Sequence, residues 1–61
     1  MKFVLLWSPS QKKFHIQTIG SMISDNMDAY KNGMPVDYIT LAVAETFEDA
    51  AEIQRVLLEN N

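Results

Sequence analysis

A run of five apolar residues near the N-terminus, from Phe3 to Trp7, constrains the fold of this 61-residue chain most strongly. Five residues is the length of a strand and is too short for a helix. Alternation places Phe3, Leu5 and Trp7 on one face of the strand and the two residues between them on the other. Because both faces are apolar, the run predicts a central strand that is covered on two sides.

The next two segments predict a hairpin and a helix. Ser8–Gln11 contains a proline and is typical of a turn. The alternation that follows, up to Thr18, predicts a half-exposed edge strand paired with the first strand. Beyond it, apolar residues recur every three or four positions, which predicts a helix over 19–32. The residues of this helix that are expected to face the core are Ile19, Met22, Ile23, Met27 and Tyr30.

The C-terminal third of the chain predicts one strand and one helix. Val36–Ala44 alternates between two apolar faces, and we assign the face with the larger side chains, every second residue from Ile39 to Val43, to the helix side. Thr46 is a good N-cap, and the apolar residues from Phe47 to Leu58 occupy one arc of a second helix. The predicted element order is therefore β-β-α-β-α.

Joined in this order, the segments predict one α+β domain over residues 1–61. Its architecture is a two-layer sandwich, in which a three-stranded antiparallel sheet of order 2-1-3 carries both helices on one face. The other face of the sheet then has no cover, and we expect the larger Phe3 set of the first strand to lie on the helix side. The residues predicted on the open face are Val4, Leu6, His15, Gln17, Tyr38, Thr40 and Ala42.

Composition excludes several classes of site. The chain has no cysteine and one histidine, so disulfides and thiolate metal sites are excluded, and a zinc site cannot form from one histidine alone. Five basic residues against eight acidic ones give a net charge of −3, which offers little electrostatic attraction to a phosphate backbone. We therefore predict no metal, no cofactor and no small-molecule substrate, and nucleic acid is not the expected partner.

No group of residues has the pattern of a catalytic centre. The serines lack the Gly-x-Ser-x-Gly setting of a nucleophile elbow. His15 lies on the outward side of a predicted edge strand, with no cysteine to activate and no second metal ligand at the usual spacing. Because no nucleophile and base can be paired, the sequence predicts a protein that is not an enzyme.

Two charged clusters are candidate binding sites. The first lies in the opening turns of the last helix, where acidic side chains complement the helix dipole or form a patch that docks onto a basic partner. The second lies on the hairpin, where basic residues beside an aromatic ring could stack single-stranded bases. The acidic cluster is Glu45, Glu48, Asp49 and Glu52, and the basic cluster is Lys12, Lys13 and Phe14.

The chain is also expected to lie in the cytoplasm. Its longest apolar run has five residues, against about 20 for a membrane span, and a polar turn without a cleavage site follows that run. The small size, the lack of cysteine and the lack of catalytic groups resemble those of short bacteriophage proteins, although no residue motif carries the resemblance. It implies a host protein as the target.

These observations lead to three functional hypotheses. The first is a non-enzymatic protein-binding module, such as a phage-type inhibitor or regulator of a host protein, that acts through the open sheet face or the acidic helix start. The second is a structural homodimer with stacked sheet faces and no foreign ligand. The third is a single-stranded nucleic-acid binder that uses the basic hairpin.

Overall fold

The computed structural model describes residues 1–59. In chain order it contains β1 (Phe3–Ser8), β2 (Lys13–Thr18), α1 (Ile19–Lys31), β3 (Ile39–Ala44) and α2 (Phe47–Glu59). The three strands form one open antiparallel sheet in the order β2-β1-β3. The predicted α+β class, the element order and the central position of β1 are confirmed.

A tight turn joins β1 to β2. Lys12 adopts a left-handed backbone conformation, with φ of 55°, and its N–H donates to the carbonyl of Ser8 over 2.7 Å. The two strands then pair without interruption from Ser8 opposite Lys13 to Phe3 opposite Thr18. This register fixes which side chains of β1 and β2 share a face.

A bulge divides the pairing of β1 with β3. Val4 is opposite Val43, but Leu6 is opposite Thr40, so Leu41 is the extra residue. A bulge shifts the alternation of side chains by one position. Leu41 and Val43 therefore share the Val4 face of the sheet, whereas Ile39 and Ala42 lie on the opposite face. The prediction that Ile39, Leu41 and Val43 line one face is wrong for this reason.

The strand β3 also begins three residues later than predicted. Val36–Tyr38 is irregular, and Pro35, which precedes it, has no N–H to donate to a sheet. The carboxylate of Asp37 accepts hydrogen bonds from the hairpin instead. This segment is thus held by side-chain contacts at the end of the sheet.

Both helices begin at a threonine cap. The hydroxyl of Thr18 accepts from the backbone N–H of Ser21 over 3.1 Å, and that of Thr46 accepts from Asp49 over 3.1 Å. These bonds satisfy N–H groups that have no partner within the helix. At the other end of α1, Gly33 has φ of 68°, which lets the chain leave the helix.

The helix α1 lies on the Val4 and Leu6 face. Gln17 shares that face because it is opposite Val4, and its side-chain amide donates to Asp25 of α1 over 3.0 Å. Leu6, Gln17 and Met22 also line one groove between this helix and the sheet. Among the strands, α1 contacts β2 and β1 but not β3, as far as residues 1–59 show.

The helix α2 lies on the opposite face. Its first residue, Phe47, packs edge-to-face against Phe3 with ring centroids 6.0 Å apart. Leu5 and Ala44, on the same face as Phe3, are buried, and so is Ala50 of α2. Within the described part of the chain, α1 and α2 do not contact each other.

The expected two-layer arrangement, with both helices on one face, is therefore not the one that the structure has. The physical reason lies in β1, whose side chains are apolar on both faces. Val4, Leu5 and Leu6 are each at most 2% exposed, which requires a cover on each side of the sheet. Each helix supplies one cover, and neither face is fully bare.

Candidate interaction surface

The structure buries the centre of the predicted open face. Val4 and Leu6 were expected to meet a partner there, but they are 1% and 2% exposed because α1 lies over them. A side chain that is covered by its own chain cannot contact another protein without unfolding. These two residues therefore belong to the core.

The other predicted open-face residues are divided between the two faces. Gln17 is tied to α1, and the ring of His15 lies against that of Tyr38, with centroids 5.6 Å apart. Thr40 is exposed and opposite Leu6, on the same face. Ala42 is opposite Leu5 and lies on the α2 face. The structure thus brings six of the seven residues to one face and places Ala42 on the other, because of the bulge.

One flank of α1 is exposed and apolar. Asp25 is turned toward the outer strand β2, where it meets Gln17. At 100° per residue, Ile23, Met27 and Tyr30 lie on the opposite flank of the helix, which is turned toward β3. Their side chains are 48%, 54% and 85% exposed. The prediction that these three residues face the core is wrong.

The part of the sheet beside this flank is also uncovered. Leu41 and Val43 lie on the same face as α1, but the helix does not reach β3. They are 46% and 54% exposed. We call the resulting apolar region the α1–β3 surface. It consists of Ile23, Met27, Tyr30, Leu41 and Val43.

The α1–β3 surface carries almost no charge. The sequence of β3, ITLAVA, has no ionisable residue. On α1, Ile23, Met27 and Tyr30 line an open groove with Asn26, and Lys31 is the one charged residue at its border. The acidic residues Asp25 and Asp28 lie on the other flank. The surface can therefore form apolar contacts and has little to offer chemically reactive ligands.

The sequence contains only a weak signal for this surface. The apolar arc of α1, from Ile19 to Tyr30, is wider than the contact that one helix makes with two strands. Two of its five apolar residues, Ile19 and Met22, are half-buried, and the other three are exposed. Met27 was expected to face the core, but it is 54% exposed. The width of the arc was the available indication that part of it would stay uncovered.

The acidic cluster has the contacts of a solvated helix start. Glu48 and Asp49 occupy the first turn of α2, where they complement the helix dipole. Glu45 forms an ion pair of 3.6 Å with Lys2. The Arg55 guanidinium lowers the pKa of Glu52 below its ordinary value, first by hydrogen bonding and then by its charge. Part of the cluster is thus already paired within the chain.

The basic hairpin has its aromatic ring packed against a neighbouring ring. Lys12 and Lys13 are exposed, whereas Phe14 is half-buried and lies against Trp7, with ring centroids 4.9 Å apart. Base stacking requires a ring face that is open to the strand. The contact with Trp7 occupies part of the Phe14 ring.

Two hairpin serines hold the segment before β3. The hydroxyls of Ser8 and Ser10 both donate to one carboxylate oxygen of Asp37, the second over 2.7 Å. Ser8 is fully buried, so this carboxylate satisfies a hydroxyl that water does not reach. In the described residues the ring of His15 lies against that of Tyr38 and forms no hydrogen bond with this cluster. The two serine–aspartate hydrogen bonds connect the hairpin to the loop before β3.

This link is expected to make stability depend on pH. Hydrogen bonds from Ser8 and then Ser10 lower the pKa of Asp37 below its ordinary value of 3.8. Because the pKa is lower in the folded state, the stabilisation is fully present above pH 3.8 and is lost as the pH falls through the folded-state pKa.

Thermal unfolding at about pH 5 and about pH 2.5 tests this dependence. We expect Asp37→Asn to lose less stability over that interval than the unmodified chain does. Asp28→Asn, on the surface of α1, is the matched control and should behave like the unmodified chain. Equal losses in all three proteins would contradict the assignment.

The described residues contain neither a metal cluster nor a membrane-spanning helix. Among residues 1–59, no group of three or more histidine, cysteine, aspartate or glutamate side chains could hold a metal ion. In the same range, neither helix has the length and apolar character needed to cross a membrane. The chain matches no protein-family model, no curated protein and no solved structure. The α1–β3 surface is therefore the main candidate site of the described residues.

Proposed function

We propose that this protein is a non-enzymatic protein-binding module and that the α1–β3 surface is its contact site. One observation carries the proposal: five large apolar side chains from two elements are exposed on one face of the sheet. A module of this kind acts by occupying a surface of its partner, as an inhibitor or a regulator does. We keep the cytoplasm as the expected compartment, on the cysteine-free composition.

The size of the surface supports this proposal. With roughly 200 Å² for a fully accessible large side chain, the exposed fractions of the five residues amount to about 600 Å². This is the upper end of the range for the largest apolar patch on a monomer, roughly 300–600 Å², and such patches often mark binding sites. Both parts lie on one face of the sheet, since the flank of α1 is turned toward β3 and Leu41 and Val43 share the face that α1 covers.

The remaining polar clusters favour a role in binding over one in catalysis. The serine–aspartate link is committed to holding the loop before β3. The acidic start of α2 is partly paired with Lys2 and Arg55, and the hairpin has its aromatic ring packed against Trp7. None of these clusters combines a free reactive group with a cavity, whereas the five residues of the apolar surface each leave about half or more of their area exposed.

Substitution on the surface tests the proposal directly. We expect Leu41→Lys to abolish retention of a partner on the immobilised chain, because a charge at the centre of an apolar contact must be desolvated without compensation. Val56→Lys is the matched control, since Val56 is 41% exposed on α2, away from the surface. The retained proteins are compared by mass spectrometry for both variants.

Two results would count against the proposal. One is that Leu41→Lys retains the same proteins, in the same amounts, as the unmodified chain. The other is that Val56→Lys loses them to the same degree, which would place the contact on α2. Far-UV circular dichroism of each variant shows whether the fold is kept, which we expect because both side chains are exposed.

A further inference from the structure

We infer that the partner seated on the α1–β3 surface is a second copy of this chain, in a symmetric dimer. The inference rests on the proposed function, because it concerns the same surface, and it names the occupant. The dimer differs from a stack of bare sheet faces, since both faces of the sheet carry a helix. Three observations support a self-contact: the charge, the shape and the area of the surface.

The charge distribution permits two copies to meet here. A chain with net charge −3 repels its own copies, so a self-contact is favourable only where the charges are absent. β3 has no ionisable residue, and the acidic residues of α1 lie on the flank turned to β2. In a two-fold contact each residue patch meets the same patch of the partner. The α1–β3 surface meets this condition because its five residues include no Asp, Glu, Lys or Arg, and Lys31 is the charged residue in the groove on α1.

The shape of the surface is complementary to itself. The flank of α1 is a ridge, since Ile23, Met27 and Tyr30 extend over about 10 Å of helix at 1.5 Å per residue. On the same face, the exposed side chains of β3 form a flatter region, where Leu41 and Val43 are about 7 Å apart along the strand. Helix axes pack about 8–10 Å apart, so a second helix packed against this flank of α1 would cover Leu41 and Val43. The chain itself offers such a helix, with an unpartnered apolar flank.

The area of the surface reaches the range of specific protein interfaces. Two copies of the α1–β3 surface, at about 600 Å² each on the basis of roughly 200 Å² for a fully accessible side chain, would bury about 1,200 Å² in total. Specific interfaces bury about 1,200–2,000 Å² in total.

The chain alone also exposes more surface than its size predicts. Its accessible surface is 4439 Å², against about 4,000 Å² for a monomer of this mass. A chain of 61 residues without disulfides gains stability from packing or from association. A dimer over the α1–β3 surface would remove the excess.

Sedimentation velocity of the full chain is the primary test. We expect a mass of twice 7.0 kDa for the unmodified protein, a mass of 7.0 kDa for Met27→Glu, and a dimer again for the control Val56→Glu. Tyr30→Cys provides a second readout that does not depend on weakening the dimer, because the chain has no cysteine of its own. Under mild oxidation it should form a disulfide-linked dimer, whereas Val56→Cys should not.

Each of the other outcomes overturns the inference. If the unmodified chain is a monomer at every concentration, there is no self-contact; the proposed function then still stands if Leu41→Lys abolishes retention of a foreign protein. A dimer that survives Met27→Glu forms elsewhere, for example along the free edge of β3. If Met27→Glu fails to fold, disulfide formation in Tyr30→Cys decides, and no cross-linking at that position rejects the contact.

Discussion

Leu6→Asp is expected to leave the chain unfolded at neutral pH. Leu6 is 2% exposed beneath α1, so an aspartate there places a carboxylate in an apolar site with no partner, at a cost of several kcal/mol. A chain of this length has a total stability of roughly 3–9 kcal/mol. The substitution therefore removes most or all of it, and the loss of the far-UV circular dichroism signal measures the effect.

Leu41→Asp is the matched control for this prediction. Leu41 lies on the same face of the sheet in the neighbouring strand, but it is 46% exposed because α1 does not cover it. We expect this variant to keep its fold and to lose no more than about 1 kcal/mol, the range of strand propensities. A folded Leu6→Asp protein would show that this face is open and would contradict the position of α1.

Leu5→Ala is expected to lower the free energy of unfolding by about 2–5 kcal/mol. Leu5 is fully buried on the other face, where α2 covers the sheet, and the shortened side chain leaves a cavity that a close-packed interior fills only in part. Urea unfolding followed by tryptophan fluorescence of Trp7 measures the change. Leu41→Ala, at an exposed position, should cost much less, and equal costs would mean that α2 does not pack on Leu5.

The periodicity of the sequence predicted the elements and the order of the strands. The five apolar residues of β1 leave the central position as the only one in a three-stranded sheet where both faces can be buried. The same run also indicates that each face needs a cover, and the structure confirms this, with α1 over Leu6 and α2 over Leu5. The prediction that both helices lie on one face is inconsistent with this pattern, because it leaves the other apolar face of β1 without a cover.

The bulge and the position of α1 were beyond prediction from the sequence. Nothing in ITLAVA marks Leu41 as the extra residue, because all six side chains are compatible with either face. The bulge moves Ala42 to the α2 face and leaves Leu41 and Val43 beside α1. Likewise, helical periodicity defines an apolar arc on α1, but only tertiary contacts determine which half of the arc meets the sheet.

The proposed function depends on the placement of the two helices. If both lay on one face, α1 and α2 would stand side by side, and the flank of α1 with Met27 and Tyr30 would have an internal partner. With the helices on opposite faces, α1 covers β2 and β1 only, and the β3 side chains on that face stay exposed. The α1–β3 surface thus arises because a single helix on this face is too narrow to cover all three strands.

Nuclear Overhauser effects between methyl groups test this placement most directly. We expect the methyl groups of Leu6 to show contacts with Met22 or Ala29 of α1, and those of Leu5 to show contacts with Ala50 of α2. Contacts from Ala50 to Leu6 would place both helices on one face of the sheet, remove the α1–β3 surface and contradict the account.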